Sequence, residues 1–209
     1  MTQAADTPAL GAVVLAAGAA QRMGGRAKPL IERDGVPLVR RVAQALLEAG
    51  VRDVVVVLGY RADEVAWVLT DLPVLTVVNP SYAAGHVTSL RRGLVALPDT
   101  IEAMLVALAD QPLLERADVT ALLVAYARRG TARAVVPRVR GQRGHPVVLE
   151  ASACGEILRG DAGYGAREWL DEHPDEVAWF DCDNTHYVED LDYPEDLERI
   201  AQRHGCSMR

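Results

Sequence analysis

A chain of 209 residues, half of them hydrophobic, is long enough to bury one sizeable α/β core. It contains a single Phe, so that core must be built from Val, Leu and Ala. The net charge of −7 argues against general binding to nucleic acid or to a membrane surface. Cys154, Cys182 and Cys206 stand apart with no CxxC pair, which fits a reduced, cytoplasmic protein without a thiolate metal site. No apolar stretch is long enough to span a membrane. Residues 1–10 lack the basic and apolar pattern of a secretion signal, and they are expected to form a loose tail, as are residues 203–209. Charge is unevenly spread: Arg128 to Arg143 is basic and Asp171 to Asp196 is acidic. These segments read either as two solvated faces or as part of a site for an anionic substrate.

Gly11 to Ala17 is apolar throughout and reads as a buried parallel strand. Leu38 to Ala49 has helical spacing and is stopped by Gly50. Asp53 to Leu58 is a second buried strand, Asp63 to Leu69 a short helix and Leu75 to Val78 a third strand closed by Asn79-Pro80. Ser89 to Ala96 starts a helix, and Ala103 to Ala109 is a fourth apolar strand that runs into Asp110-Gln111-Pro112. Ala117 to Arg129 is helical, Ala134 to Pro137 and Pro146 to Leu149 are strands around a polar turn, and Ala166 to Glu172 is helical. Val177 to Phe180 and the region near Val188 are expected to be extended. A last helix opens at Tyr193-Pro194-Glu195-Asp196. Strands that alternate with helices predict one domain with a mostly parallel sheet and right-handed crossovers. In such a sheet, ligands bind beyond the carboxyl ends of the strands, where both Gly18 and Asp110 fall.

The segment from Val13 to Leu30 is the most informative. An apolar run ends in a turn at Gly18, and Arg22, the pair Gly24-Gly25, Arg26 and Lys28 follow. A strand that ends in a glycine-containing turn aims several backbone N–H groups at one place, and cations just beyond can hold an anion there. The pattern is neither GxGxxG nor GxxxxGK[ST]. It reads as a cradle for a polyphosphate, with a tight turn carrying surface cations as the bland alternative.

Asp110 follows an apolar strand directly, where the chain leaves the sheet. A carboxylate there suits Mg²⁺, which prefers hard oxygen ligands and bridges phosphates. The competing role, an N-cap for the next helix, fits poorly with Pro112 and the distance to Ala117. Asp190 and Asp192 alternate along an extended segment and would face one side. Asp192 reads equally as a second metal carboxylate and as a cap for the helix at Pro194.

Taken together, Leu15-Ala16-Ala17-Gly18, Arg22-Met23-Gly24 and Lys28 resemble the signature of the molybdenum-cofactor nucleotidyltransferases. Asn79-Pro80 with Gly85 and Ser89-Leu90, Ala109-Asp110-Gln111-Pro112, Gly144-His145-Pro146 and Asp190 to Leu197 resemble the cytidylyltransferase branch of that group. Gly160-Asp161 with Gly163 and Arg167 is a weaker match. The likeness runs from about Val13 to Leu197 and lies in the order and spacing of the pieces.

The resemblance implies a single Rossmann-like, GT-A-like domain over residues 1–209, an α/β three-layer sandwich with a mostly parallel mixed sheet. It implies transfer of CMP from CTP to the phosphate of molybdopterin, with Mg²⁺ as cofactor and pyrophosphate as leaving group. By the same likeness Leu15, Ala16, Ala17, Gly18, Gly24, Asn79, Gly85 and Ser89 would bind nucleotide. Arg22 and Lys28 would sit on its phosphates, Asp110 and Asp192 would hold the metal, and His145 and Asp161 would meet the acceptor. Ala17 goes with cytosine in this group, a glycine there with guanine, whereas the Arg22-to-Lys28 spacing resembles the guanylyl members. A related protein described as a nicotinamide-dependent reductase, and a non-catalytic carrier that docks on an apo-molybdoenzyme, are the rival readings.

Overall fold

The computed structural model describes residues 9–18 and 21–209. Ala19 and Ala20 of the glycine loop, and residues 1–8 of the expected tail, lie outside the described residues. In chain order the elements are β1 (Leu10–Ala16), β2 (Glu32–Arg33), β3 (Val36–Pro37), α1 (Leu38–Glu48), β4 (Asp53–Leu58), α2 (Ala62–Trp67), β5 (Leu75–Val78) and α3 (His86–Ala96). There follow β6 (Ala103–Leu108), α4 (Arg116–Ala127), β7 (Ala134–Val139), β8 (Gln142–Arg143), β9 (Val147–Glu150), α5 (Ala151–Arg159), α6 (Ala166–Glu172), β10 (Val177–Asp181) and α7 (Pro194–His204).

The main sheet runs β10-β7-β9-β6-β1-β4-β5, with β8 paired to β7. β6, β1, β4 and β5 are parallel neighbours, as are β10 and β7. β9 runs against both β6 and β7. The sheet is therefore mixed and mostly parallel, and its central strands are apolar because helices cover both faces. Ala12, Val14 and Ala16 of β1 join one core with α1, α2 and α4, whereas Val13 joins the other with α3, α5 and α6. This alternation of side chains builds the three layers.

A third, smaller core decides where the site lies. Met23, Ile31, Leu38, Leu113, Leu191 and Ile200 are all buried together. They gather the loop after β1, the loop after β6 and the approach to α7.

Several expectations are corrected. α5 is a helix where the sequence signalled none. The region near Val188 is a 3-10 turn over Thr185–Tyr187, because the Asn184 side chain accepts the His186 N–H at 3.1 Å. The chain at 203–209 is not loose: α7 extends to His204, the Ser207 carbonyl accepts the Asp34 N–H (2.9 Å), and Arg209 and Glu32 exchange backbone bonds (2.8 and 3.0 Å). At the other end, Leu10 already belongs to β1 and the Ala9 carbonyl accepts the Glu102 N–H at 2.9 Å.

Candidate active site

A cavity of about 660 Å³ opens at the carboxyl edge of β1 and β6. Leu15, Ala16, Ala17 and Gly18 line it from β1 and its turn, and Val106, Leu108, Ala109 and Asp110 from β6 and its exit. Arg22, Lys28, Ser89, His145 and Asp192 also border it. Most of the residues proposed for the site thus meet in one place.

Lys28 stands at the centre. Its Nζ donates to Asp110 Oδ2 at 3.0 Å and to Asp192 Oδ1 at 2.8 Å. Burial works against its charge, yet Asp110 and Asp192 outweigh that effect and hold the ammonium above its ordinary value. The three residues come from the turn after β1, the exit of β6 and the approach to α7. The third core fixes them: Met23 and Ile31 flank the Lys28 turn, Leu191 precedes Asp192, and the Leu191 N–H donates to the Asp110 carbonyl at 3.2 Å.

Both competing capping roles fail. α4 is capped at Glu115, whose N–H is accepted by the Asp118 carboxylate at 2.8 Å, so Asp110 is not its cap. The Asp196 carboxylate accepts the N–H groups of Asp192 (2.9 Å) and Tyr193 (2.8 Å), which leaves the Asp192 side chain free for Lys28. Asp190 borders a separate polar pocket with Arg140, Arg199 and Arg203, and so does not share the cavity with Asp192. Burial, and then the charges of Asp110 and Asp192, hold its carboxyl above the ordinary range. Negative charge is therefore in excess here. Hard oxygen donors crowded in this way suit a small divalent cation. Among the described residues no group of three His, Cys, Asp or Glu side chains forms a ready-made metal cage.

Arg22 is exposed at the cavity mouth, with its guanidinium 5.9 Å from the Tyr193 ring centroid. His145 sits on the β7–β9 side of the cavity. Its N–H donates to the Tyr187 carbonyl (2.8 Å), and its carbonyl accepts the Gln111 Nε2 at 3.0 Å. Burial, reinforced by the nearby His86, pushes its imidazole down to about 4, so the ring is neutral at physiological pH.

Four of the proposed residues do not line the cavity. Asn79 is buried behind it. Its Nδ2 donates to Thr88 Oγ1 and Ser89 Oγ (both 2.9 Å), and its Oδ1 accepts the Ser81 N–H (3.0 Å). Asn79 is thus a strut that ties β5 to α3. Gly85, with φ of 120°, is the N-cap of α3. Gly24, with φ of 63°, supplies the left-handed turn before Lys28. Asp161 is exposed, and its carbonyl is bound to Arg91 at 2.9 Å. Conversely, Tyr82, His86 and Arg167 line the cavity without having been proposed for it. Arg167 was visible in the Gly163 to Arg167 segment, but its destination depends on how α6 packs.

The description "MobA-like NTP transferase domain" fits residues 12–177 of the chain. The protein belongs to the MobA-like NTP transferase family. Nicotine blue oxidoreductase of Paenarthrobacter nicotinovorans is 36% identical over 203 residues, covering 93% of this chain and 98% of that protein. The bifunctional protein GlmU of Heliobacterium modesticaldum is 32% identical over 154 residues, 73% of this chain but only 31% of that protein. A nucleotidyl transferase from Methanothermobacter thermautotroptrophicus superposes with TM-score 0.77 at 25% identity, covering 93% of this chain and 96% of the other. Rv0371c of Mycobacterium tuberculosis, in complex with manganese, superposes with TM-score 0.73 at 22% identity over 92% of this chain and 98% of the other. This MobA-like chain has the fold of a nucleotide-transferring enzyme, with the cavity at the carboxyl edge of its sheet. Among the described residues, no helix is long and apolar enough to cross a membrane.

Proposed function

We propose that this enzyme transfers CMP from CTP to the terminal phosphate of molybdopterin and releases pyrophosphate. The observation that carries nucleotidyl transfer is the convergence of Lys28, Asp110 and Asp192 from three distant segments on one cavity. An oxygen of the acceptor phosphate forms the new bond to the α-phosphorus, and the bond to the pyrophosphate oxygen breaks. A phosphate nucleophile is already ionised, so no general base is required. The work left to the chain is to align two anions and to offset charge on the leaving group. Arg22 and Lys28 supply positive charge for the leaving side. Asp110 and Asp192 would hold Mg²⁺, which supplies charge neutralisation to the phosphates. The manganese complex of Rv0371c supports a divalent cation in this fold.

The choice of CTP rests on Ala17, which lines the cavity where the guanylyl members of the resembled group carry a glycine. GTP is the alternative base. Molybdopterin as acceptor and delivery to an apo-molybdoenzyme rest on the sequence resemblance, and a cytoplasmic setting rests on the three isolated cysteines. A second reading is favoured by one specific observation: the relative that matches along 98% of its length is named an oxidoreductase. In that reading the same cavity would hold NAD(P)H.

A thermal-shift panel of CTP, GTP, ATP and NADPH, each with and without Mg²⁺, tests the assignment. Mg²⁺-dependent stabilisation by CTP above the others is expected, together with pyrophosphate release when molybdopterin is added. Stabilisation by NADPH alone, independent of Mg²⁺, would overturn it in favour of the reductase.

A further inference from the structure

The cavity has two charged walls that belong to opposite faces of the sheet. Lys28 and Arg22 come from the turn that packs beside α1, through Met23, Ile31 and Leu38. His86 and Arg167 come from α3 and α6, which cover the other face. Apolar residues, Leu15, Val106 and Leu108, line the same cavity. Arg167 is exposed to the cavity, and among the described residues no carboxylate pairs with it.

This placement of Arg167 is built. The Arg91 guanidinium on α3 donates to the carbonyls of Ile157 (2.9 Å), Leu158 (2.6 Å), Gly160 (3.0 Å) and Asp161 (2.9 Å). It thereby straps the end of α5 and the start of the next loop to α3. Gly165 then lies so close to Val87 that a Cβ there would stand 2.9 Å from Val87 Cγ2. α6 therefore starts against the first turn of α3, and Arg167 is brought next to the side that carries His86. The half-buried His145 borders the same space.

We propose that Arg167, with His86 beside it, forms the subsite for an anionic acceptor, and that the acceptor class is a phosphate monoester. The inference rests on the nucleotidyl-transfer reading and adds the residues that receive the second substrate. The attacking and leaving oxygens stand roughly in line across the phosphorus. With the leaving pyrophosphate on the Lys28 wall, the attacking phosphate must come from the opposite wall. An arginine there presents a planar fork of donors matched to a phosphate.

The test uses the full chain loaded with Mg²⁺ and a CTP analogue carrying a methylene between the α- and β-phosphorus. Phenyl phosphate and, separately, phenol are titrated calorimetrically into the wild type, Arg167→Met and Arg167→Lys. The wild type is expected to bind phenyl phosphate at least roughly tenfold more tightly than phenol. Arg167→Met should remove that preference, Arg167→Lys should restore part of it, and affinity for the CTP analogue should stay within about twofold in all three. Equal binding of phenyl phosphate by the wild type and Arg167→Met overturns the subsite, as does a wild type that does not distinguish phenyl phosphate from phenol. Weaker binding of the CTP analogue by Arg167→Met also overturns it, because Arg167 would then belong to the triphosphate. If no variant, the wild type included, binds the analogue or its GTP counterpart with Mg²⁺, the transfer reading itself fails, and that result is separable because it does not depend on Arg167.

Discussion

Lys28 and Asp192 lie 164 positions apart in the chain, and their side chains meet at 2.8 Å. Asp110, on the other side of the same ammonium, completes the arrangement at 3.0 Å. The ammonium therefore occupies the space between two carboxylates that a divalent cation would need. On the proposed reading, nucleotide phosphates would offer Lys28 another partner and so free both acids at once.

Asp110→Asn keeps the shape of the side chain and removes its charge. Turnover is expected to fall on the order of a hundredfold or more, the size of losing a metal or charge contact in the transition state. The melting temperature should barely change, because Asp110 is partly exposed and does not cap α4. Pyrophosphate release checks the first expectation and a thermal melt the second.

Lys28→Met removes the internal cation from between Asp110 and Asp192. The nucleotide-free variant should bind Mn²⁺ more tightly than the wild type, by roughly tenfold, since two carboxylates are left uncompensated. Electron paramagnetic resonance of free Mn²⁺ measures this without turnover. Equal Mn²⁺ affinity in the two proteins would show that the ammonium does not compete.

Gly59→Ala tests how the nucleotide turn is braced. A Cβ at Gly59 would stand 2.6 Å from the Ala17 carbonyl oxygen, 2.7 Å from Tyr82 Cγ and 2.8 Å from Ala17 Cβ. Backbone and a ring base cannot give way cheaply. A loss of about 1–3 kcal/mol in stability is expected from overpacking. Affinity for CTP should fall as well, since Ala17 and Tyr82 both line the cavity.

His186 and Asp118 supply a pH dependence away from the cavity. Asp118 is buried and accepts bonds from Asn184 Nδ2 (2.6 Å) and the Glu115 N–H (2.8 Å), and its Oδ2 lies 2.9 Å from His186 Nδ1. The bond to Asp118 raises the His186 pKa above 6.5 despite partial burial. The folded state thus holds this proton more tightly than the unfolded chain. Its contribution is complete below 6.5 and is lost as the pH rises through the folded value. His186→Gln should cost about 1 kcal/mol more at about pH 5.5 than at about pH 9. Melting curves of both proteins at the two pH values read the difference.

His145 has the opposite sign. Its folded value of about 4 lies below the ordinary 6.5, with burial as the main cause. Between these values the unfolded chain binds more protons, so stability is full above 6.5 and falls as the pH drops towards 4. His145→Gln should flatten the melting temperature in that window. If the wild type and the variant lose stability in parallel there, His145 is not the group that takes up the proton.

The parallel strands were readable because burial on both faces demands unbroken apolar runs, as in β1, β4 and β6. α5 was not readable. Ala151-Ser152-Ala153-Cys154-Gly155 carries weak helical preference, and the helix exists because Ala153, Cys154 and Ile157 are buried against the α3 side of the sheet. Asn79 is a nucleotide-binding candidate only through the sequence resemblance. Only the packing of α3 showed that its amide is consumed by Thr88 and Ser89.

By itself, the sequence determined the α/β class, the apolar strands and the two ends, Gly18 and Asp110, at which a ligand would be met. Each of these depends on side chains close together in the chain. Tertiary structure alone decided that Lys28 bridges Asp110 and Asp192, and that Arg167 lines the same cavity. Those relations are set by the small core of Met23, Ile31, Leu113 and Leu191 and by the Arg91 strap. They join segments far apart in sequence, and no local periodicity encodes such a meeting.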